Sequence, residues 1–113
     1  MEFRPSPQEL VALFERVAPG GPDVTRRKMF GFPATFVNGN LCCGTFKEQL
    51  MLRLSERDRT ELEALGGTAF EPMPGRPMKG YVAVGPQVFR DEAALHDWFE
   101  RAAIFTRTLP PKK

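Results

Sequence analysis

The stretch from Val24 to Leu54, VTRRKMFGFPATFVNGNLCCGTFKEQLMLRL, decides the fold. It divides into short β-type runs separated by turn chemistry, which predicts four strands. Val24 to Phe30 is the first, and Gly31-Phe32-Pro33 bends it into Ala34 to Val37. Asn38-Gly39 is the strongest hairpin signal in the chain, because both central residues of a type I′ turn need positive φ. Leu41 to Thr45 then returns antiparallel, and Phe46-Lys47-Glu48-Gln49 turns the chain into Leu50 to Leu54. In that last run three leucines share one face, with Met51 and Arg53 on the other, the alternation of a half-buried strand.

Helical patterns flank this block. Ser6 is the expected N-cap of the first helix, with Pro7 where a missing N–H costs nothing and Glu9 closing a capping box. Leu10, Leu13, Phe14 and Val17 follow at helical spacing as one apolar stripe, and Pro19-Gly20-Gly21-Pro22 ends it. Ser55, with Asp58 three residues on, starts a short acidic helix through Leu62 and Leu65 that stops at Gly66-Gly67. Phe70 to Pro77 holds three prolines and a glycine and reads as the one sizeable loop. Met78 to Val84 reads as a fifth strand ended by Pro86. Asp91 opens a last helix carrying Leu95, Trp98, Phe99, Ala102 and Phe105 on its apolar side. The expected architecture is therefore a two-layer α+β domain, an antiparallel meander sheet covered by helices in the order α-ββββ-α-β-α.

A chain of 113 residues fits a single domain, residues 1–113, with a core over about 6–107 and a frayed tail over 108–113. With 42% apolar and 27% charged residues, it is excluded from the disordered and fibrous classes. A net charge of +2 is too small for bulk electrostatics to drive binding to nucleic acid or to an acidic membrane. No run approaches the roughly 18–20 apolar residues that span a bilayer. The start, Met1 to Pro7, lacks the basic and apolar regions of a secretion signal. Cys42 and Cys43 are adjacent, with Cα atoms about 3.8 Å apart, too close for an unstrained disulfide. Reduced thiols in a cytoplasm are the expectation.

Those cysteines are expected on opposite faces of their strand, one a small core residue and the other on the outer face. His96 is expected on a solvated helix surface. No GxSxG, HExxH, P-loop or GxGxxG pattern occurs, and one histidine with one cysteine pair offers no zinc-ligand set. No catalytic residue, metal or cofactor is expected.

Arg26-Arg27-Lys28 is the densest basic run. Residues 24–54 carry five basic groups against Glu48 alone, and Arg101, Arg107, Lys112 and Lys113 follow without an acid. On a shared face these cations would steer phosphate-bearing partners; the plainer reading is that they protect strand edges and solvate a helix end. The Pro-rich loop, with Met73, Arg76 and Met78, combines large apolar groups with a guanidinium, the chemistry of a contact surface. A stiff connector explains it equally well.

Arg27-Lys28-Met29-Phe30-Gly31, followed by a hairpin, the Leu50 to Leu54 strand, and Met78 with Tyr81, resembles the N-terminal domain of the TfoX/Sxy family over about Val24 to Ala103. Trp98 with Ala102 and Ala103 resembles its closing helix. Phe32 stands where family members often have a second glycine, and Gly80-Tyr81 replaces a frequent aromatic pair. The resemblance implies a regulatory role, since the family is named for bacterial regulators of natural competence that act with the cyclic-AMP receptor protein. Those regulators also carry a C-terminal helical domain, for which this chain is too short. A relation of the fold to secretion chaperones favours a homodimer.

The expected function is a non-enzymatic cytoplasmic protein-interaction domain linked to transcription or competence. The partner would be a protein, such as part of the transcription machinery. Candidate surfaces are Met29, Phe30 and Gly31 and the loop with Met73, Arg76 and Met78, with Tyr81 beside it. The alternatives are nucleic-acid binding through Arg26, Arg27, Lys28 and the C-terminal cations, or a small molecule held between the sheet and the last helix.

Overall fold

The computed structural model describes residues 7–85, 88 and 90–112. The capping role assigned to Ser6 and the strand end assigned to Pro86 lie outside them. Strands β1 (Val24–Met29), β2 (Phe32–Val37), β3 (Asn40–Phe46) and β4 (Gln49–Arg53) form an antiparallel meander. At the central hairpin Asn38 and Gly39 take φ of 51° and 82° between paired Val37 and Asn40, the turn that their residue types demand. The first turn is tighter than the expected Gly31-Phe32-Pro33 bend. Met29 pairs with Phe32, leaving Phe30 and Gly31 as the two turn residues at φ 55° and 81°. Pro33 therefore sits inside β2. Its missing N–H is harmless there, because the β2–β3 pairing begins at Ala34 and the Thr45 hydroxyl donates to the Pro33 carbonyl at 3.1 Å.

The β2–β3 ladder is not straight. Thr35 pairs with Cys43 but Phe36 with Leu41, so Cys42 is one extra residue opposite the Thr35/Phe36 junction, a β-bulge. The bulge corrects the expectation that the cysteines occupy opposite faces. In an unbroken strand Cys42 would alternate away from Cys43; the inserted residue puts both in the same buried cluster, and neither reaches the outside.

That cluster lies under three helices. The predicted stripe of α1 (Pro7–Val17) is buried, and Phe14 meets Phe99 edge to face with ring centres 5.9 Å apart. The acidic helix α2 (Glu56–Ala64) contributes Leu62, with its N-terminus capped as expected: the Asp58 N–H donates to Ser55 Oγ at 3.2 Å. Helix α3 (Glu92–Arg107), capped by Asp91, buries Leu95, Trp98, Phe99, Ala102 and Ala103. Surface ion pairs link the helices side by side, Arg16 to Glu92 at 2.8 Å and Arg101 to Asp58 and Glu61.

After α2, a two-residue strand β5 (Thr68–Ala69), unforeseen in the sequence, pairs with β6 (Tyr81–Val84), giving the sheet order β1-β2-β3-β4-β6-β5. Strand β6 begins at Tyr81, so Met78, expected to open it, belongs to the preceding loop. The loop is pinched shut where the Met78 N–H donates to the Phe70 carbonyl at 2.8 Å. At its tip a single bridge joins Met73 and Arg76 around Pro74-Gly75.

The sheet face away from the helices is also covered. Ala34, Leu41, Phe46, Met51, Tyr81 and Ala83 form a second buried cluster, closed by Phe70 from the loop. Met51 is only 3% exposed, so β4 is buried on both faces rather than half-buried. The expected loose tail is corrected as well. The Lys112 N–H donates to the Asn38 carbonyl at 2.8 Å, and Asn40 Nδ2 donates to the Pro110 carbonyl at 3.0 Å, docking the C-terminal segment on the β2–β3 hairpin. A Cβ at Gly39 would collide with the Lys112 carbonyl.

Candidate functional site

The pleat splits the basic run. Arg26 and Lys28 alternate toward the helix side and Arg27 toward the other, so the three do not make one patch. Arg26 is committed within the fold: Nη1 donates to Thr35 Oγ1 at 2.8 Å, lies 3.8 Å from Glu15 Oε2, and the guanidinium sits over the Phe14 ring. Arg27 lies over the Phe36 ring at 4.3 Å. The cations of α3 are likewise engaged, Arg101 with Asp58, Glu61 and Asp97, and Arg107 with Asp23. An extended basic face of the kind phosphate contacts need is not assembled by these groups.

The two apolar candidate surfaces do converge. Phe30 stands edge to face with Phe46 at 5.7 Å, Phe46 with Phe70 at 5.3 Å, and Phe70 leads to Tyr81 at 6.4 Å. Phe32 also packs on Phe46 at 5.3 Å. This row of rings joins the Met29-Phe30-Gly31 turn to the loop that carries Met73, Arg76 and Met78. Met29 and Met78 both pack, partly buried, on the same cluster, while Phe30 stays 48% exposed and Met73 59%. Arg76 is exposed at the loop tip. Tyr81 is buried and donates its hydroxyl to the Leu41 carbonyl at 3.3 Å under the Arg53 guanidinium, and burial raises its pKa. Tyr81 is thus a support for the surface and not a part of it.

Phe46 and Phe70, the middle of that row, were not singled out in the sequence. The signal was present: Phe32, Ala34 and Phe36 alternate with Pro33, Thr35 and Val37, so one face of β2 is wholly apolar and the other carries Val37, and both require cover.

On the helix side, burial pushes the Cys43 thiol well up, while the hydrogen bond from Cys43 lowers that of Cys42, which also faces Thr106. His96 projects from the solvated side of α3, 3.7 Å from Glu100. Among the described residues no group of three or more His, Cys, Asp or Glu is placed to hold a metal ion. Leu95, Phe99, Ala102 and Ala103 fill the seam between α3 and the sheet, where the small-molecule alternative needs room. No helix among the described residues is long and apolar enough to cross a membrane.

The family model of the TfoX N-terminal domain matches residues 15–105. The chain belongs to that family. The matched span of this TfoX N-terminal domain runs from Glu15 in α1 to Phe105 in α3 and includes the whole sheet, the cluster closed by Phe70, and the candidate residues from Arg26 to Tyr81, while Leu10, Leu13 and Phe14 of the other cluster precede it. No curated protein matches the chain.

Proposed function

We propose that this TfoX N-terminal domain is a non-enzymatic, cytoplasmic protein-interaction module of a regulatory, transcription-linked system. It engages its partner through the loop-covered sheet face. One observation carries the reading: Phe30 and Met73 remain in water at the turn and on the loop that border a cluster whose other aromatics are packed. Large exposed side chains on a rigid support, with Arg76 bridged to Met73 at the loop tip, suit a contact that buries area and adds forked hydrogen bonds.

Affinity capture from native lysate tests it, with the full chain and a Phe30→Ser/Met73→Ser variant as baits. The expected result is a stoichiometric protein partner retained by the native chain and lost by the variant. A native chain that retains none, or a variant that retains the same partner equally well, overturns the reading.

A further inference from the structure

Strand β1 is the outer strand of the six-stranded sheet, bonded to β2 on one side and to no strand among the described residues on the other. Its outward groups follow from the ladder. The Asn38 N–H donates to the Asp23 carbonyl at 2.9 Å, and a two-residue turn closes Met29 on Phe32. In an alternating antiparallel ladder Thr25, Arg27 and Met29 therefore direct their backbone groups to β2, and Val24, Arg26 and Lys28 direct theirs outward. The Val24 N–H is taken by the Gly21 carbonyl at 3.1 Å. Arg26 and Lys28 are left presenting a donor and an acceptor each. An open depression of about 220 Å³ is lined by Arg26, Arg27 and Lys28 of this strand together with Pro33 and Ala34 of β2 and Glu15 of α1. Arg27 and Lys28 make no ion pair among the described residues.

We propose that β1 accepts an acidic, extended segment of a partner protein as an added strand. Main-chain bonds to Arg26 and Lys28 would give the pairing. Because the cations stand on both sides of the pleat, carboxylates on either face of the incoming strand meet one. A second copy of this chain fits poorly: registers that use both Arg26 and Lys28 set cation against cation, and like charges directly opposite are destabilising. The cations that guard the edge against self-association thus select for acids. Nucleic acid supplies negative charge but no alternating donors and acceptors to complete a ladder. The proposal rests on reading the domain as a protein-binding module.

The test titrates isotope-labelled full-length chain with a peptide of roughly eight residues alternating glutamate and valine, against a control with lysine for glutamate. The amide signals of Arg26 and Lys28 are expected to shift and their exchange to slow with the acidic peptide only. Lys28→Gln should weaken binding about 2–5-fold, the effect of one exposed charge pair. Lys28→Pro, tolerated at an edge whose N–H faces water, should abolish it, with circular dichroism confirming the fold. Unshifted Arg26 and Lys28 amides, equal binding of the lysine control, or Lys28→Pro binding as well as Lys28→Gln overturns the proposal. So does duplex DNA shifting these amides when the peptide does not, or their protection by self-association. A captured partner whose footprint covers Phe30 and Met73 but leaves Arg26 and Lys28 untouched ends this proposal and preserves the module reading.

Discussion

Arg107 of α3 meets Asp23, 84 residues back in the chain, with Nε 2.7 Å from Oδ2 and Nη2 3.2 Å from Oδ1. The fork holds the end of the last helix to the loop that enters β1. The Arg107 hydrogen bond lowers the Asp23 carboxyl below its ordinary value. A depressed carboxylate stabilises the fold above its unfolded pKa of about 3.9, and that contribution disappears as pH falls through the folded value. Asp23→Asn should therefore melt below the native chain near neutrality, with the gap closing in acid. Thermal melts across that range check it, and a gap that stays constant with pH contradicts the assignment.

Phe70 closes the second buried cluster between Phe46 and Tyr81. Phe70→Ala should cost about 3–5 kcal/mol, read from urea unfolding, and raise the binding of a hydrophobic dye to the uncovered sheet face. Met73→Ala, on the same loop but exposed, should stay within about 0.5 kcal/mol of the native chain.

The docked C-terminal segment gives a local prediction. Gly39→Ala places a side chain at φ 82° and against the Lys112 carbonyl. It should destabilise by about 1–3 kcal/mol and speed hydrogen exchange at the Lys112 amide, which otherwise bonds to Asn38. Unchanged exchange at that amide would show the segment to be independent of the hairpin.

Cys42 and Cys43 have no exposed surface. Alkylation by iodoacetamide should leave both unmodified in the native chain and label both in denaturant, since only an accessible thiolate reacts. Mass measurement before and after denaturation reads the difference. Rapid native labelling at either site would mean that the face under α3 opens.

The element order was legible because its signals are local. Asn38-Gly39 dictates its own turn, Ser55 and Asp91 cap their helices, and the stripe from Leu10 to Val17 repeats with the helical period. What escaped depends on partners distant in the chain. Nothing around Leu109 says that Asn38 will receive Lys112, and two residues, Thr68 and Ala69, are too few to show alternation. The site divided the same way. The exposed turn and loop were visible as composition, whereas the ring row joining them needs Phe46 and Phe70 to meet across the sheet. The run Arg26-Arg27-Lys28 was readable as strand-edge cations, but which of them faces the helices depends on the register that β1 keeps against β2.

The residue inserted at Cys42 has a consequence for the length of this chain. The segments before and after it keep different registers against β2, with Leu41 sent to one side of the sheet and Cys43 to the other. Removing the codon for Cys42 would join Leu41 to Cys43 in an unbroken ladder in which each keeps its partner, Phe36 or Thr35, and its side of the sheet; the loss would be one buried thiol and the local bend of the strand. The inserted residue is therefore what brings two neighbouring thiols to one side of the sheet, a placement that an unbroken strand cannot give.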